Sequence, residues 1–175
     1  MSMIEVLVTL VILLVGLLGL AGLQLQAQRS EMESYQRVQA LVLLQDMAGR
    51  INANRLNAAS YVATNIGDPA DGQPAASACA SQSTLPARDL CDWSNALKGA
   101  GEQQGGNRIG AMTGGRGCVS YTAAASAVMI SVVWQGLGDT VAPPSSLTCG
   151  TGLYGSETKR RVVSMPVKIG CLTCS

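Results

Sequence analysis

The chain of 175 residues is long enough for one folded domain plus an apolar segment, and nothing in it indicates a second globular unit. Its 12 basic and 11 acidic residues give a net charge of +1, which argues against the clustered basic surface that nucleic-acid binding needs. Histidine is absent, so histidine-based metal sites, catalytic triads and proton shuttles are excluded.

The first 23 residues form an almost uninterrupted apolar stretch whose one charged residue is Glu5. As a helix, this stretch rises roughly 35 Å, enough to cross a bilayer. An ionised carboxylate in hydrocarbon is costly unless it is paired, so Glu5 predicts a cationic partner. The α-amino group of Met1 is one such cation, in the same helix or in a neighbouring subunit. The alternative is a membrane anchor in which Glu5 lies near the surface and reaches the water.

The helical pattern continues beyond Leu23 and becomes amphipathic, because apolar residues then recur every three to four positions as far as Ile51. No proline occurs before Pro69, so we expect one continuous helix over about residues 2–54. Three asparagines weaken helix propensity near its expected end: Asn52, Asn54 and Asn57.

Three glycines recur at every third position of the apolar stretch: Gly16, Gly19 and Gly22. We interpret them as a close-packing face or as a point of local flexibility of the helix within a filament. The alternative is the ordinary use of small residues in a membrane helix.

Six cysteines lie outside the apolar stretch, and an even number in a small extracytoplasmic domain predicts disulfides. Six cysteines allow many pairings. Proximity favours Cys79–Cys91, and antiparallel strands would place Cys118 near the loop that carries Cys149. That leaves Cys171–Cys174, whose spacing also occurs in redox and zinc motifs. No second such pair and no histidine could complete a zinc site, so we expect no metal and no cofactor.

The rest of the chain predicts a small antiparallel sheet. Residues 65–77 have the composition of turns and loops, and the segment from Asp89 to Lys98 favours a short helix with Trp93 and Leu97 inward. Three segments have strand character: Cys118–Thr122, Ala127–Gln135 and Arg161–Ile169. In the last of them, Pro166 indicates an edge strand or a bulge. Arg160 and Arg161 are expected to be the solvated start of this strand. The fold class is α+β: a long N-terminal helix packed on a small antiparallel sheet and stapled by disulfides.

The segment MIEVLVTLVI, residues 3–12, resembles the mature N-terminus of type IV pilins and of type II secretion pseudopilins. The resemblance implies the type IV pilin fold. It also implies that a prepilin peptidase cuts before Met1, that the new amine is methylated, and that Glu5 pairs with an N-terminal amine. Family members usually begin with phenylalanine, whereas methionine stands here.

Two further segments, Gly16–Gln24 and Gln45–Arg55, resemble minor pilins of the PilV family, and shorter similarities occur at 132–135 and 160–163. The resemblance implies a minor pilin at the filament tip, without enzymatic activity, that primes pilus assembly and supports adhesion and twitching motility. Its implied partners are other minor pilins, the major pilin and a large tip adhesin. Its implied location is the inner membrane, with a periplasmic head, before assembly and the cell-surface pilus afterwards.

Four regions follow from these features. Residues 1–23 are the transmembrane and filament-core half of the helix, and residues 24–55 are its amphipathic half. Residues 56–117 form an insertion with a short helix, and residues 118–175 form the sheet and a C-terminal disulfide region. Two other functions stay open: a minor pseudopilin of a type II secretion system, and a membrane-anchored periplasmic thiol redox protein that uses Cys171 and Cys174.

Overall fold

The computed structural model of the protein describes residues 2–101, 103–105, 107–108, 110 and 112–170. The chain divides into two compact units, Met1–Tyr35 and Gln36–Ser175. Helix α1, Met3–Ala53, contributes to both units. The expected continuous helix over residues 2–54 is therefore confirmed.

In the first unit, α1 has no buried side. Every residue from Ser2 to Met32 is exposed, including all the large apolar side chains from Val6 to Leu25. A helix that is apolar all round fits an apolar environment and not water. By length and composition this helix could cross a membrane.

In the second unit, one side of α1 is buried. The buried residues recur every three or four positions: Gln36, Ala40, Leu44, Met47, Ala48 and Ile51. This spacing places them on one face, which packs against the sheet and α2 in a single core.

The other elements of the second unit follow in chain order. The strands are β1 (Ala63–Ile66), β2 (Gln103–Gln104), β3 (Asn107–Arg108), β4 (Arg116–Thr122), β5 (Ala127–Gln135) and β6 (Arg160–Lys168). Helix α2 is Leu85–Leu97, and 3-10 turns occupy Arg55–Tyr61, Ala76–Ser81, Ala123–Ala125 and Glu157–Lys159. Strands β2 and β3 form a separate two-stranded hairpin.

The main sheet has the strand order β1-β4-β5-β6, and all its pairs are antiparallel. Alternate residues of β5 point to opposite faces. Val128, Ile130, Val132 and Trp134 join the core with α1. On the other face, Val133 packs with Cys149 and Tyr154 of the loop between β5 and β6. A long helix packed on an antiparallel sheet confirms the α+β expectation.

The three predicted strands are present with ends shifted by two residues or fewer, and Pro166 lies in an edge strand as expected. The prediction of loop over 65–77 is wrong at Asn65 and Ile66, which end β1. Helix α2 begins one turn earlier than Asp89, because Thr84 caps it and Pro86 lies in its first turn. Trp93 and Leu97 are buried, as predicted.

Candidate assembly site

The N-terminal turn of α1 presents Glu5 to the solvent. The amide nitrogen of Glu5 donates to the carbonyl oxygen of Ser2 at 3.0 Å, so Glu5 lies in the first turn of the helix. A carboxylate is favourable there, because the unsatisfied N–H groups of the first turn carry partial positive charge. Met1, the predicted methylated partner, lies outside the described residues, and its pairing with Glu5 stays a prediction.

Glu5 is the one charged side chain before Arg29. Around it, the apolar side chains of the helix are exposed, with Leu7 at 59% and Leu18 at 73% exposure. Folded proteins in water rarely leave so large an apolar surface exposed. By length and composition, the first unit could therefore lie within a bilayer.

The three glycines of the first unit lie in open space. A Cβ atom added to Gly16, Gly19 or Gly22 would have no neighbour within 4 Å. Nothing within the subunit requires glycine at these positions. Their predicted role in packing or flexibility within a filament remains a prediction.

In the second unit, Arg50 connects the end of α1 to α2. Its guanidinium donates to Asp46 Oδ2 at 3.0 Å and to Asp89 Oδ1 at 2.9 Å, and approaches Asp92 Oδ2 at 3.4 Å. Burial lowers the pKa of Arg50, but the hydrogen bonds to Asp89 and Asp46 outweigh it and raise the pKa overall. Arg50 therefore links α1 to α2 in addition to its pairing with Asp46 within α1.

Asp89 has a second partner in Tyr61. The Tyr61 hydroxyl donates to Asp89 Oδ2 at 2.5 Å and accepts from Asn54 Nδ2 at 3.2 Å. Burial, and then the hydrogen bond to Asp89, raise the pKa of Tyr61 to about 12. These contacts tie the C-terminal turn of α1, the 3-10 turn after it and α2 into one junction.

A second ion pair orders the connection between β1 and α2. Lys98 Nζ lies 2.6 Å from Asp71 Oδ1, and Asp71 also accepts hydrogen bonds from Ser94 Oγ and from the Gly67 and Gln73 amides. Burial raises the pKa of Asp71, but these bonds, led by the one from Lys98, lower it overall. Asp71 is therefore held as a carboxylate.

The structure contains the disulfides Cys79–Cys91 and Cys118–Cys149, which are two of the three pairs that the sequence favours. The first joins the 3-10 turn Ala76–Ser81 to α2, and the second joins β4 to the loop between β5 and β6. Cys171 and Cys174 lie outside the described residues. Within the part of the chain that the structure describes, no cluster of acidic or cysteine side chains could hold a metal ion.

The expectation of a solvated Arg160 is wrong. Arg160 is 2% exposed and lies below the loop that carries Cys149. Its guanidinium donates to Glu157 Oε2 at 2.6 Å and to the carbonyl oxygens of Leu147 and Cys149. The sequence signal was available, since Glu157 stands three residues before Arg160, but the loop carbonyls could not be predicted.

The model of a family described as type IV pilin Tt1218-like matches residues 22–96. No curated protein and no solved structure matches the chain. The matched segment runs from the first unit into α2, and so includes the amphipathic part of α1 and the Arg50 junction. Over this segment, which is 75 of the 175 residues, the chain is therefore similar to type IV pilins.

Proposed function

We propose that the chain is a minor, tip-located pilin of the PilV type, which assembles with other minor pilins and a large tip adhesin and so primes pilus assembly. The observation that carries the proposal is Glu5, the one charged residue before Arg29 in the exposed apolar part of a helix that continues into a folded head. The segments Gly16–Gln24 and Gln45–Arg55 support the PilV type by their resemblance. In this function the protein supports adhesion and twitching motility and needs no catalytic residues.

The proposed mechanism begins in the inner membrane, where the apolar half of α1 holds the subunit with its head in the periplasm. Prepilin peptidase has by then produced the N-terminus at Met1, which is methylated. Glu5 pairs with an N-terminal amine of a neighbouring subunit, because either charge alone is costly in hydrocarbon. This pairing sets the register between subunits, with the major pilin added behind the tip complex.

Deletion of the gene in its native host tests the proposal. Sheared surface pili, twitching motility and secreted proteins are scored in the same cultures, and the gene is then restored on a plasmid. We expect the pili and twitching to be lost while secretion stays normal. Lost secretion with normal pili would instead assign the chain to a type II secretion system as a pseudopilin, which the shared N-terminal segment also fits.

A different measurement distinguishes the pilin function from a thiol redox function of Cys171 and Cys174. The four described cysteines are all in disulfides. We expect that alkylation of intact cells labels no cysteine of this protein, because a structural disulfide resists the reagent. Rapid labelling of Cys171 or Cys174 would favour the redox protein.

A further inference from the structure

The outer edge of β6 exposes backbone hydrogen-bonding groups. Strand β6 is the last in the sheet order and pairs with β5 along one side only. Two bonds fix which residues face β5: the Ile169 amide donates to the Ser126 carbonyl, and the Gly136 amide donates to the Lys159 carbonyl, each at 2.8 Å. Residues of an antiparallel strand alternate in facing the partner strand. The odd-numbered residues 161–167 therefore bond to β5.

The even-numbered residues of β6 consequently point their backbone groups away from the sheet. Among the described residues, no hydrogen bond joins the outward groups of Val162 or Ser164 to another segment. The amide of Arg160 is already bonded to the Glu157 carbonyl. Pro166 also faces outward, so its missing N–H costs the β5–β6 pairing nothing. The edge that can accept a strand is thus the half that contains Val162 and Ser164.

The side chains beside this edge fit an added strand. Val163 and Met165 are partly buried and pack against the core, and a neighbouring strand would cover the rest of their surface. On the opposite face, the Ser164 hydroxyl lies 2.9 Å from the Ser131 hydroxyl. A strand added to this edge would therefore make apolar contacts with Val163 and Met165. It would also form backbone hydrogen bonds with Val162 and Ser164.

Charge defines the occupant. Of the four basic residues from Lys159 to Lys168, Arg160 is buried and bound to Glu157, and the other three lie at least partly at the surface. No acidic residue follows Glu157. A second copy of β6 fits poorly. In a two-fold pairing centred on Ser164, two basic edges would lie side by side, and Val162 would face Pro166, which has no N–H to donate. We propose that the outer edge of β6 docks an extended, acid-bearing segment of another protein chain as an additional antiparallel strand.

The test uses the full chain in detergent micelles and a blocked heptapeptide of alternating valine and glutamate as the probe. Amide hydrogen exchange is measured residue by residue with and without the peptide. We expect the exchange of Val162 and Ser164 to slow at least about tenfold at saturation, while Val163 and Met165 are protected from the start. The peptide with lysine in place of glutamate should bind at least about tenfold more weakly.

Two variants change the edge without removing a backbone hydrogen bond to β5, although Ser164→Pro also removes the hydroxyl contact with Ser131. Pro166→Thr adds an outward N–H and should tighten peptide binding about three- to tenfold, the effect of one hydrogen bond. Ser164→Pro removes an outward N–H and should weaken binding by a similar factor. Unchanged melting temperatures are the control for folding, and if Ser164→Pro fails to fold, Pro166→Thr still decides the result.

Three results would overturn the proposal: no slowing of exchange at Val162 and Ser164, equal binding of the acidic and basic peptides, or protection that appears with protein concentration alone. The last would identify a second copy as the occupant. The proposal is independent of Glu5, since the edge belongs to the head. The variant Glu5→Ala should bind the peptide as the natural chain does, so that failure of one proposal leaves the other standing.

Discussion

Arg50, near the end of α1, binds Asp89 of α2 and so links the two helices. Its side chain is 29% exposed, whereas the side chain of its partner Asp89 is 11% exposed. A carboxylate with little access to water depends on the hydrogen bonds it accepts. Asp89 has two such partners, Arg50 and Tyr61. The junction is therefore more sensitive to loss of the arginine than an exposed ion pair would be.

Replacing Arg50 with methionine should lower the free energy of unfolding by about 1 to 2 kcal/mol, because Asp89 is left without its cationic partner. The measurement is urea denaturation of the full chain in detergent micelles, followed by tryptophan fluorescence. The matched control is Arg55→Met, at an exposed arginine five residues later, which should change stability by less than about 0.5 kcal/mol. Equal effects of the two substitutions would contradict the assigned role of Arg50.

Trp93 occupies space that only glycine leaves open. The indole nitrogen donates to the Leu43 carbonyl at 2.9 Å, which fixes the ring against α1. A Cβ atom added at Gly117 of β4 would lie 2.2 Å from the Trp93 ring. The ring cannot yield easily, since it is fully buried between the helix and the strand.

Gly117→Ala should therefore destabilise the head by about 1 to 3 kcal/mol, as overpacking of a filled core does. Gly49→Ala is the control, since Gly49 lies in α1 with no atom within 4 Å of an added Cβ. That substitution should stabilise the protein by up to about 1 kcal/mol through helix propensity. The measurement is thermal denaturation of both variants. A Gly117→Ala protein as stable as the natural chain would contradict the packing of Trp93 against Gly117.

Between elements, Asp71 joins the chain after β1 to α2 through Lys98 and Ser94. Its pKa is lower in the folded protein than the ordinary value of 3.8. A depressed carboxyl pKa stabilises the fold at pH above the unfolded value, and that stability is lost as the pH falls through the folded value. The stabilisation is thus fully present at pH 7 and disappears in acid.

Asp71→Asn should be less stable than the natural chain at pH 7, and the difference should shrink as the pH falls below about 4. The measurement is the denaturation midpoint of both proteins from pH 7 to pH 3. Asp92→Asn serves as the control, because Asp92 is exposed and its contact with Arg50 is long. A difference that stays constant down to pH 3 would show that the Asp71 carboxylate contributes no pH-dependent stability.

Among the helices and strands, the sequence predicts those whose own residues show a clear apolar periodicity. Helix α1 and strand β5 have long apolar periodicity, and their extents were predicted within one residue. Strand β1 was missed, because its four residues include two exposed polar ones, and only pairing with β4 makes them a strand. The contact of Arg50 with Asp89 and the contacts of Arg160 with the Leu147 and Cys149 carbonyls were also missed, since these partners come from other segments that only the fold brings together.

Across the whole molecule, the two units have opposite relations to water. The first unit exposes apolar side chains on all sides, and the second buries its apolar residues around α1, α2 and the sheet. Alone in water, the first unit would leave its apolar side chains exposed. Assembly with other helices removes that surface from water and brings Glu5 close to other N-termini, which is the central claim of the proposed function.

The measurement that tests this claim most directly is the co-purification of a Glu5→Ala variant with other pilins from its native host, relative to its amount in the inner membrane. Thr9→Ala is the control, since Thr9 lies one turn along the same exposed helix and its hydroxyl bonds the carbonyl of Val6 in its own helix. We predict normal membrane insertion of both variants and a loss of co-purification of about tenfold for Glu5→Ala alone, equivalent to about 1.4 kcal/mol. Unchanged co-purification of Glu5→Ala would contradict the account.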